Sequence, residues 1–337
     1  MPDHALLLTE VDLRPLGEDT DDIDAAIDTL ERATLALHRG LVTQTTFLGH
    51  PQPGGRPSAR VTLATGAGLD TGIRVFGTPA PDSLHLWRPN NARGYLLLDG
   101  ETGQVLALMN YSRLNPLRVG ASGGLAARHL APTGARTLAI VGSGQQARTQ
   151  VQAVCRAVPG IARVLVYSPT PAHREAFAQE VAGRVGVHAE AVGSVEEAAR
   201  DADIVDLANT STMPVIERSQ VKPGALVISM SENHLAPEFV DTTRAVFITW
   251  EAFASGFIGR EPYGGRIQGG TFTRADLAAE LTAVIAGEPT PRRTPDDVVV
   301  FELTVLHVHD LAIAQWAYAW ARDHRVGTRF VLSTEPG

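Results

Sequence analysis

The chain has 337 residues, enough for two domains each with its own core, and its 44% hydrophobic content is that of an ordinary globular protein. A formal charge of -8, with no basic run of five or more, argues against the basic face that nucleic acid recruits. The start, MPDHALLLTE, lacks the charged and apolar regions of a signal peptide, no window approaches the roughly 18 to 20 apolar residues of a membrane span, and one cysteine, Cys155, excludes an internal disulfide.

In chain order, GRPSARVTLATG and TGIRVFG read as strands. RGYLLLDGETGQVLALMN reads as a hairpin: an apolar strand, a D-G-E-T-G turn and a second apolar strand. NPLRVGASGGLAARHLA reads as a helix rich in small residues that delivers the chain to another strand. That strand belongs to RTLAIVGSGQQARTQVQAVCRAV, where an apolar run at 138–141 meets Gly142, Gly144 and Ala147 and then a helical pattern. The result is G-x-G-x-x-A between strand and helix. The first glycine permits a tight turn, the second lets the backbone approach a pyrophosphate, and the third small residue lets helix pack on strand. The helix N-terminus adds N–H groups and a positive dipole. Gly142, Ser143, Gly144, Gln145, Gln146 and Ala147 are therefore predicted to hold a dinucleotide.

Downstream, ARVLVYS (162–168), HREAFAQEVAGRVG, VHAEAV, SVEEAARDADIVDLANT, KPGALVISM and AVFITW (245–250) continue a strand–helix alternation. The predicted fold class is α/β, with a Rossmann-type doubly wound parallel sheet over residues 129–302. The tail, VVVFELTVLHVHDLAIAQWAYAWARDHRVG, reads as a strand and a long apolar-faced helix that folds back on the N-terminal region. His307 and His309 alternate on what reads as the strand; without a third ligand they are expected as core or interface histidines, and no metal site is predicted.

An NAD site usually carries Asp or Glu at the end of the second strand, to grip the ribose 2'-OH. Here the place reads Tyr167-Ser168-Pro169-Thr170, with Arg174 four residues on. Ser168, Thr170 and Arg174 suit a 2'-phosphate, which favours NADP(H), with NAD(H) as the alternative. Asn209, Thr210 and Ser211 beyond ADIVDL, and Ser231 beyond KPGALVISM, complete the predicted cofactor contacts. Of 29 basic residues only Lys222 is lysine. Arginine stays protonated, so lysine-dependent covalent or base catalysis is not expected.

The order LLLDGETGQVLALMN, LRVGASGGLAARHLAP, LAIVGSGQQA, ADIVDLANTSTMPVI and KPGALVISMSENHLAPEFVD resembles the ornithine cyclodeaminase/mu-crystallin family, from about residue 55 onward. The resemblance implies an α+β substrate-binding and dimerisation domain, formed by residues 1–128 with 303–337, beside the NAD(P)-binding domain. It also implies a homodimer and hydride transfer at the α-carbon of a small amino or imino acid; the single cysteine and the lack of a membrane-span pattern fit a cytoplasmic, reducing compartment. The family's carboxylate-binding arginines fall on Arg118 and Arg60, where planar guanidinium groups can bind a carboxylate in two-pronged fashion. Asn91 joins these as a predicted substrate contact. The family's lysine falls on Arg74, which joins the predicted substrate contacts but cannot transfer a proton, the threonine after the helix arginine on Val119, and the cyclodeaminase aspartate on Asn233, whose job would pass to the flanking Glu232 or His234. Small residues of the family fall on Leu303 and Val305. Asparagine cannot take the amine's proton, whereas His234 can serve as acid near neutral pH. The expectation is an NAD(P)-dependent imine or oxo-acid reductase or amino acid dehydrogenase. A cyclodeaminase-type lyase and a non-catalytic NADPH-binding protein are the alternatives.

Overall fold

The computed structural model describes residues 4–48, 59–66, 70–77, 93–230, 234–256, 261–288, 290–304 and 306–332. They divide into two units, 1–118 with 306–337, and 119–305. The divide falls inside a helix, earlier than the boundary at 128 that the sequence suggested.

The first unit begins with β1 (Ala5–Leu8) and α1 (Thr20–His38). The Asp19 side chain caps α1 by accepting from the Asp21 N–H. Buried Ile23, Ala26, Ile27, Leu30 and Thr34 recur at three- and four-residue spacing, so one stripe of α1 faces the core. There follow β2 (Val42–Leu48), β3 (Ala59–Gly66), β4 (Thr71–Gly77), β5 (Arg93–Leu98), β6 (Val105–Asn110) and α2 (Tyr111–Leu130). The β5–β6 turn is fixed by its sequence: the Asp99 carboxylate accepts from the N–H groups of Glu101 and Thr102, and Gly103 takes a φ of 71°.

The second unit runs β7 (Thr137–Val141), α3 (Gln145–Ala157), β8 (Arg163–Tyr167), α4 (Pro171–Val185), β9 (His188–Ala191), α5 (Val195–Ala199) and β10 (Ile204–Leu207). It continues through β11 (Leu226–Ser229), α6 (Phe239–Thr242), β12 (Arg244–Phe247), α7 (Trp250–Gly256), α8 (Gly264–Gln268), β13 (Ala279–Glu280), α9 (Leu281–Ile285) and β14 (Val299–Glu302). The chain then returns to the first unit with α10 (His307–His324) and β15 (Thr328–Phe330).

The first unit holds a seven-stranded sheet in the order β15-β1-β6-β5-β4-β3-β2. It is antiparallel throughout except for the β1–β6 pair. Helix α10 packs against α1 and against β2 to β5. The second unit holds an eight-stranded parallel sheet, β13-β12-β14-β11-β10-β7-β8-β9. Strands β10 and β11 are buried at every position, which explains why, Asp206 and Ser229 apart, they read as apolar runs rather than as alternations. Strand β7 lies between β8 and β10, so the chain reverses its direction of travel across the sheet there. This is the topological switch point at which doubly wound sheets bind ligands.

One element differs from the sequence reading. His307 and His309 are not on a strand: β14 ends at Glu302 and α10 begins at His307. The L-H-V-H alternation at 306–309 mimics period two, but helix geometry turns the two imidazoles to different partners, Thr46 and Thr34. Among the described residues no helix is long and apolar enough to cross a membrane.

Candidate functional site

At the switch point the motif adopts the conformation its glycines permit. Gly142 has a φ of 132°, and a Cβ there would stand 2.0 Å from the Ala208 carbonyl oxygen. Its N–H donates to Tyr167 O at 2.8 Å, while Ala208 N–H donates to Val141 O at 2.9 Å. Backbone therefore approaches backbone at position 142, and only glycine fits. Gly144 is the N-cap of α3 and offers no side-chain cap; a Cβ on it would meet nothing within 4 Å. Arg148 ties the turn down, donating to Ser143 O at 2.9 Å and pairing with Glu180. Ala147 is fully buried, as close helix–strand packing requires.

Past β10, the Asn209 side-chain oxygen accepts from Ser211 N–H at 2.9 Å, and the buried Nδ2 has no hydrogen-bond partner. Thr210 beside it is exposed. An orphaned donor next to a glycine turn and an open helix N-terminus is the donor set a dinucleotide needs. At the end of β8, Ser168 Oγ donates to Thr170 O at 3.4 Å. Arg174 donates to Ser168 O at 3.1 Å and lies 5.9 Å from the Tyr167 ring centre. No carboxylate occupies this corner between Tyr167 and Thr170. Gln145 is exposed and Gln146 half-buried in the first turn of α3.

The first unit carries a buried charge cluster. Asp310, in the first turn of α10, accepts from Arg74 Nη1 at 3.0 Å and from the Tyr111 hydroxyl at 2.8 Å, and it is ion-paired with Arg118, whose Nε lies 3.0 Å away. Asn115, one turn before Arg118 on α2, accepts from Arg74 Nη2 at 3.2 Å and from Arg118 Nη2 at 3.1 Å. The Arg74 guanidinium also lies 4.9 Å over the Tyr111 ring, which stacks on Tyr95 at 5.0 Å. Burial alone would raise the Asp310 carboxyl, but the charges of Arg74 and Arg118 outweigh it and hold Asp310 well below the usual carboxylate range. Burial likewise opposes the charge on Arg74, and Asp310 outweighs it, so Arg74 is raised. His309 is fully buried beside them. Burial first, then the charge of Arg118, push it down to about 3. Thr34 Oγ1 donates to Leu30 O, so its lone pair accepts from His309 Nε2 at 2.8 Å, which fixes the neutral tautomer.

The structure thus brings Arg74 and Arg118 onto one pair of acceptors, Asp310 and Asn115. Arg60 stands on β3 on the same face of the sheet. His234 belongs to the other unit, where it is buried and its carbonyl accepts from Val215 N–H at 2.8 Å. Asn91, Ser231, Glu232, Asn233 and Val305 lie outside the described residues. Sequence reasoning did not assign Asp310, Asn115 or Tyr111. Asp310 is 236 residues from Arg74, and no local spacing signals that pairing. It also missed Asp206 on β10, a fully buried carboxyl with no hydrogen-bond partner, which burial pushes well above the ordinary range. Among the described residues no cluster of three or more metal-ligating side chains occurs.

The profile of the ornithine cyclodeaminase/mu-crystallin family matches residues 71–325. A Delta(1)-pyrroline-2-carboxylate reductase of Bacillus cereus is 31% identical over 284 residues, covering 81% of this chain and 84% of the relative. An iminosuccinate reductase of Paracoccus denitrificans is 29% identical, covering 74% of this chain and 78% of its own. Among solved structures, the Thermococcus litoralis Delta(1)-pyrroline-2-carboxylate reductase in complex with NADH and L-proline is 26% identical. It superposes with a TM-score of 0.79 over 96% of this chain and 99% of that one.

Proposed function

Since the chain belongs to the ornithine cyclodeaminase/mu-crystallin family, we propose that it is an NAD(P)-dependent oxidoreductase that reduces a small imino acid at its α-carbon. The observation that carries this reading is the turn at the switch point. Gly142 has no room for a side chain, Gly144 is open at the helix start, and Asn209 offers an orphaned donor. Gly142 to Ala147 and the first turn of α3 would hold the pyrophosphate, and Ser168, Thr170 and Arg174 the adenosine ribose. The missing carboxylate at the end of β8 favours NADP(H) over NAD(H).

In reduction, the C=N bond of the imine becomes C–N(H). A reduced nicotinamide held at Gly142 to Ala147 would supply the hydride that the carbon takes up, and a proton completes the nitrogen. Arg74 and Arg118 hold the substrate α-carboxylate. Each guanidinium has five N–H donors, so the fork can serve Asp310, Asn115 and a second carboxylate together. Asp310 and Asn115 act through the two arginines, as positioning residues that fix both guanidinium planes. His234 is the proposed proton donor. A homodimer built by the first unit completes the reading.

The test is a spectrophotometric one. The protein is incubated with NADPH and Delta(1)-pyrroline-2-carboxylate, or with 2-oxo acids and ammonium. Separately it is given NAD(P)+ with ornithine or lysine. Loss of nicotinamide absorbance in the first set supports the proposal. Ammonia and a cyclic amino acid in the second, without activity in the first, would make it a cyclodeaminase.

A further inference from the structure

Arg93 opens β5 and played no part in the sequence reading. Its surroundings are set by the sheet register. Arg60 on β3 and Arg93 on β5 both pair with position 76 of β4, and Thr62 and Tyr95 both pair with Arg74. Residues paired across antiparallel strands share a face, as do residues two apart on a strand. Arg60, Arg74, Arg93 and Tyr95 therefore point to the same side, the side from which Arg74 reaches Asp310 of α10. Arg93 is a diagonal neighbour of Arg74, a relation that brings long side chains within reach of one another.

The Arg93 side chain is half-buried and makes no ion pair or hydrogen bond with a described residue. The charges it feels are those of Arg74 and Arg118, which, after burial, hold its pKa below the usual arginine value. Asp310 is spent elsewhere, on Arg74 and Arg118. A cation kept partly out of water beside two other cations is unfavourable unless an anion joins it.

We propose that Arg93 receives a second anionic group of the substrate, so that the preferred imino acid is a dicarboxylate: its α-carboxylate on Arg74 and Arg118, its side-chain carboxylate on Arg93. This rests on the imino acid reductase reading given above and adds the substrate class to it. A monocarboxylate would leave the Arg93 guanidinium without a counter-charge. A dicarboxylate supplies it with a charge-assisted hydrogen bond, worth about ten- to a hundredfold in affinity.

The experiment compares kcat/KM for NADPH oxidation with ammonium and each of four acids: oxaloacetate and 2-oxoglutarate against pyruvate and 2-oxobutyrate. Delta(1)-pyrroline-2-carboxylate serves as a preformed monoanionic imine. The wild-type protein is expected to prefer a dicarboxylate by about tenfold or more. Arg93→Gln is expected to lower the dicarboxylate-to-monocarboxylate ratio by a similar factor, through KM, while Arg93→Lys keeps part of it. The ratio is measured within one preparation, so inactive protein cancels. Equal or greater activity with the monocarboxylates overturns the proposal, and so does a ratio that Arg93→Gln leaves unchanged, because a merely structural arginine would lower both substrates alike. Monocarboxylate turnover with no dicarboxylate preference leaves the reductase reading standing and removes this inference alone. Oxidation of NADPH with none of the acids removes both.

Discussion

His309 gives a quantitative handle on the buried charge cluster. In the fold it is enclosed, hydrogen-bonded through Nε2 to Thr34 and held down to about 3 by burial and by Arg118. In the unfolded chain a histidine titrates near its ordinary value of about 6.5. The folded value is depressed, so the unfolded state binds the extra proton: the contribution to stability is complete above pH 6.5 or so and is lost as pH falls toward 3. Integrating the linkage between pH 7.5 and pH 5.0 gives a loss of about 2 kcal/mol from this residue alone. That figure does not depend on the exact folded value, provided it lies well below 5. Replacing His309 with Gln keeps a donor for Thr34 and removes the titration. Urea unfolding of both proteins at the two pH values, followed by tryptophan fluorescence, measures the difference; Trp316 and Trp320 lie on the same helix. Wild type is expected to lose about 2 kcal/mol more than His309→Gln on going to pH 5.0. Equal losses in the two proteins would refute the argument and show that His309 is solvated or pairs with a carboxylate in the fold.

Three further outcomes follow from the second unit. Gly144→Val adds a side chain where a Cβ meets no protein atom, so far-UV circular dichroism and Tm are expected to stay unchanged. Titration with NADPH should show no binding, because the pyrophosphate approach is blocked. Arg174→Ala is expected to reduce a roughly tenfold preference for NADPH over NADH to near parity by removing a charge-assisted contact to the 2'-phosphate; wild-type protein that binds the two equally would place that phosphate contact in doubt. Burial holds the Asp206 carboxyl well above its ordinary value, while the unfolded chain releases its proton above about pH 3.9, so its contribution falls as pH rises from there toward the folded value. Asp206→Asn does not titrate, so in urea melts it is expected to lose less stability than wild type between pH 5 and pH 8, and equal losses in the two proteins would contradict the raised carboxyl.

What could be read in the chain was what is local. The strand, glycine turn and helix at 137–157 are contiguous, and each glycine's place follows from its offset in the motif, so both the parallel sheet and the glycine turn at its switch point were legible. The D-G-E-T-G turn was legible for the same reason: Asp99 and Gly103 settle it within five residues. Helix α1 was legible in principle, with a cap at Asp19 and a stripe from Ile23 to Thr34, but it was overlooked beside the strands that follow it. The histidines of α10 were misread because L-H-V-H satisfies a strand's period over a window too short to separate it from a helix. The charge cluster lay outside reach altogether. Asp310 meets Arg74 and Arg118 only because α10 folds back over β4, and Arg93 joins their face only through the register of β4 with β5. Family resemblance supplied Arg74 and Arg118 as substrate contacts; only the fold shows that a carboxylate of the chain already positions them.

The central claim, hydride delivery to the α-carbon of an imino acid, has one direct measurement. The protein is supplied with NADPH deuterated at the transferable C4 position, ammonium and a panel of 2-oxo acids, and also with preformed Delta(1)-pyrroline-2-carboxylate. The amino acid formed is then examined by mass spectrometry and proton NMR. One deuterium per product is expected, located on the α-carbon and matched by one equivalent of NADP+. An amino acid carrying no deuterium at that carbon, or no amino acid at all while ornithine or lysine releases ammonia, would contradict it.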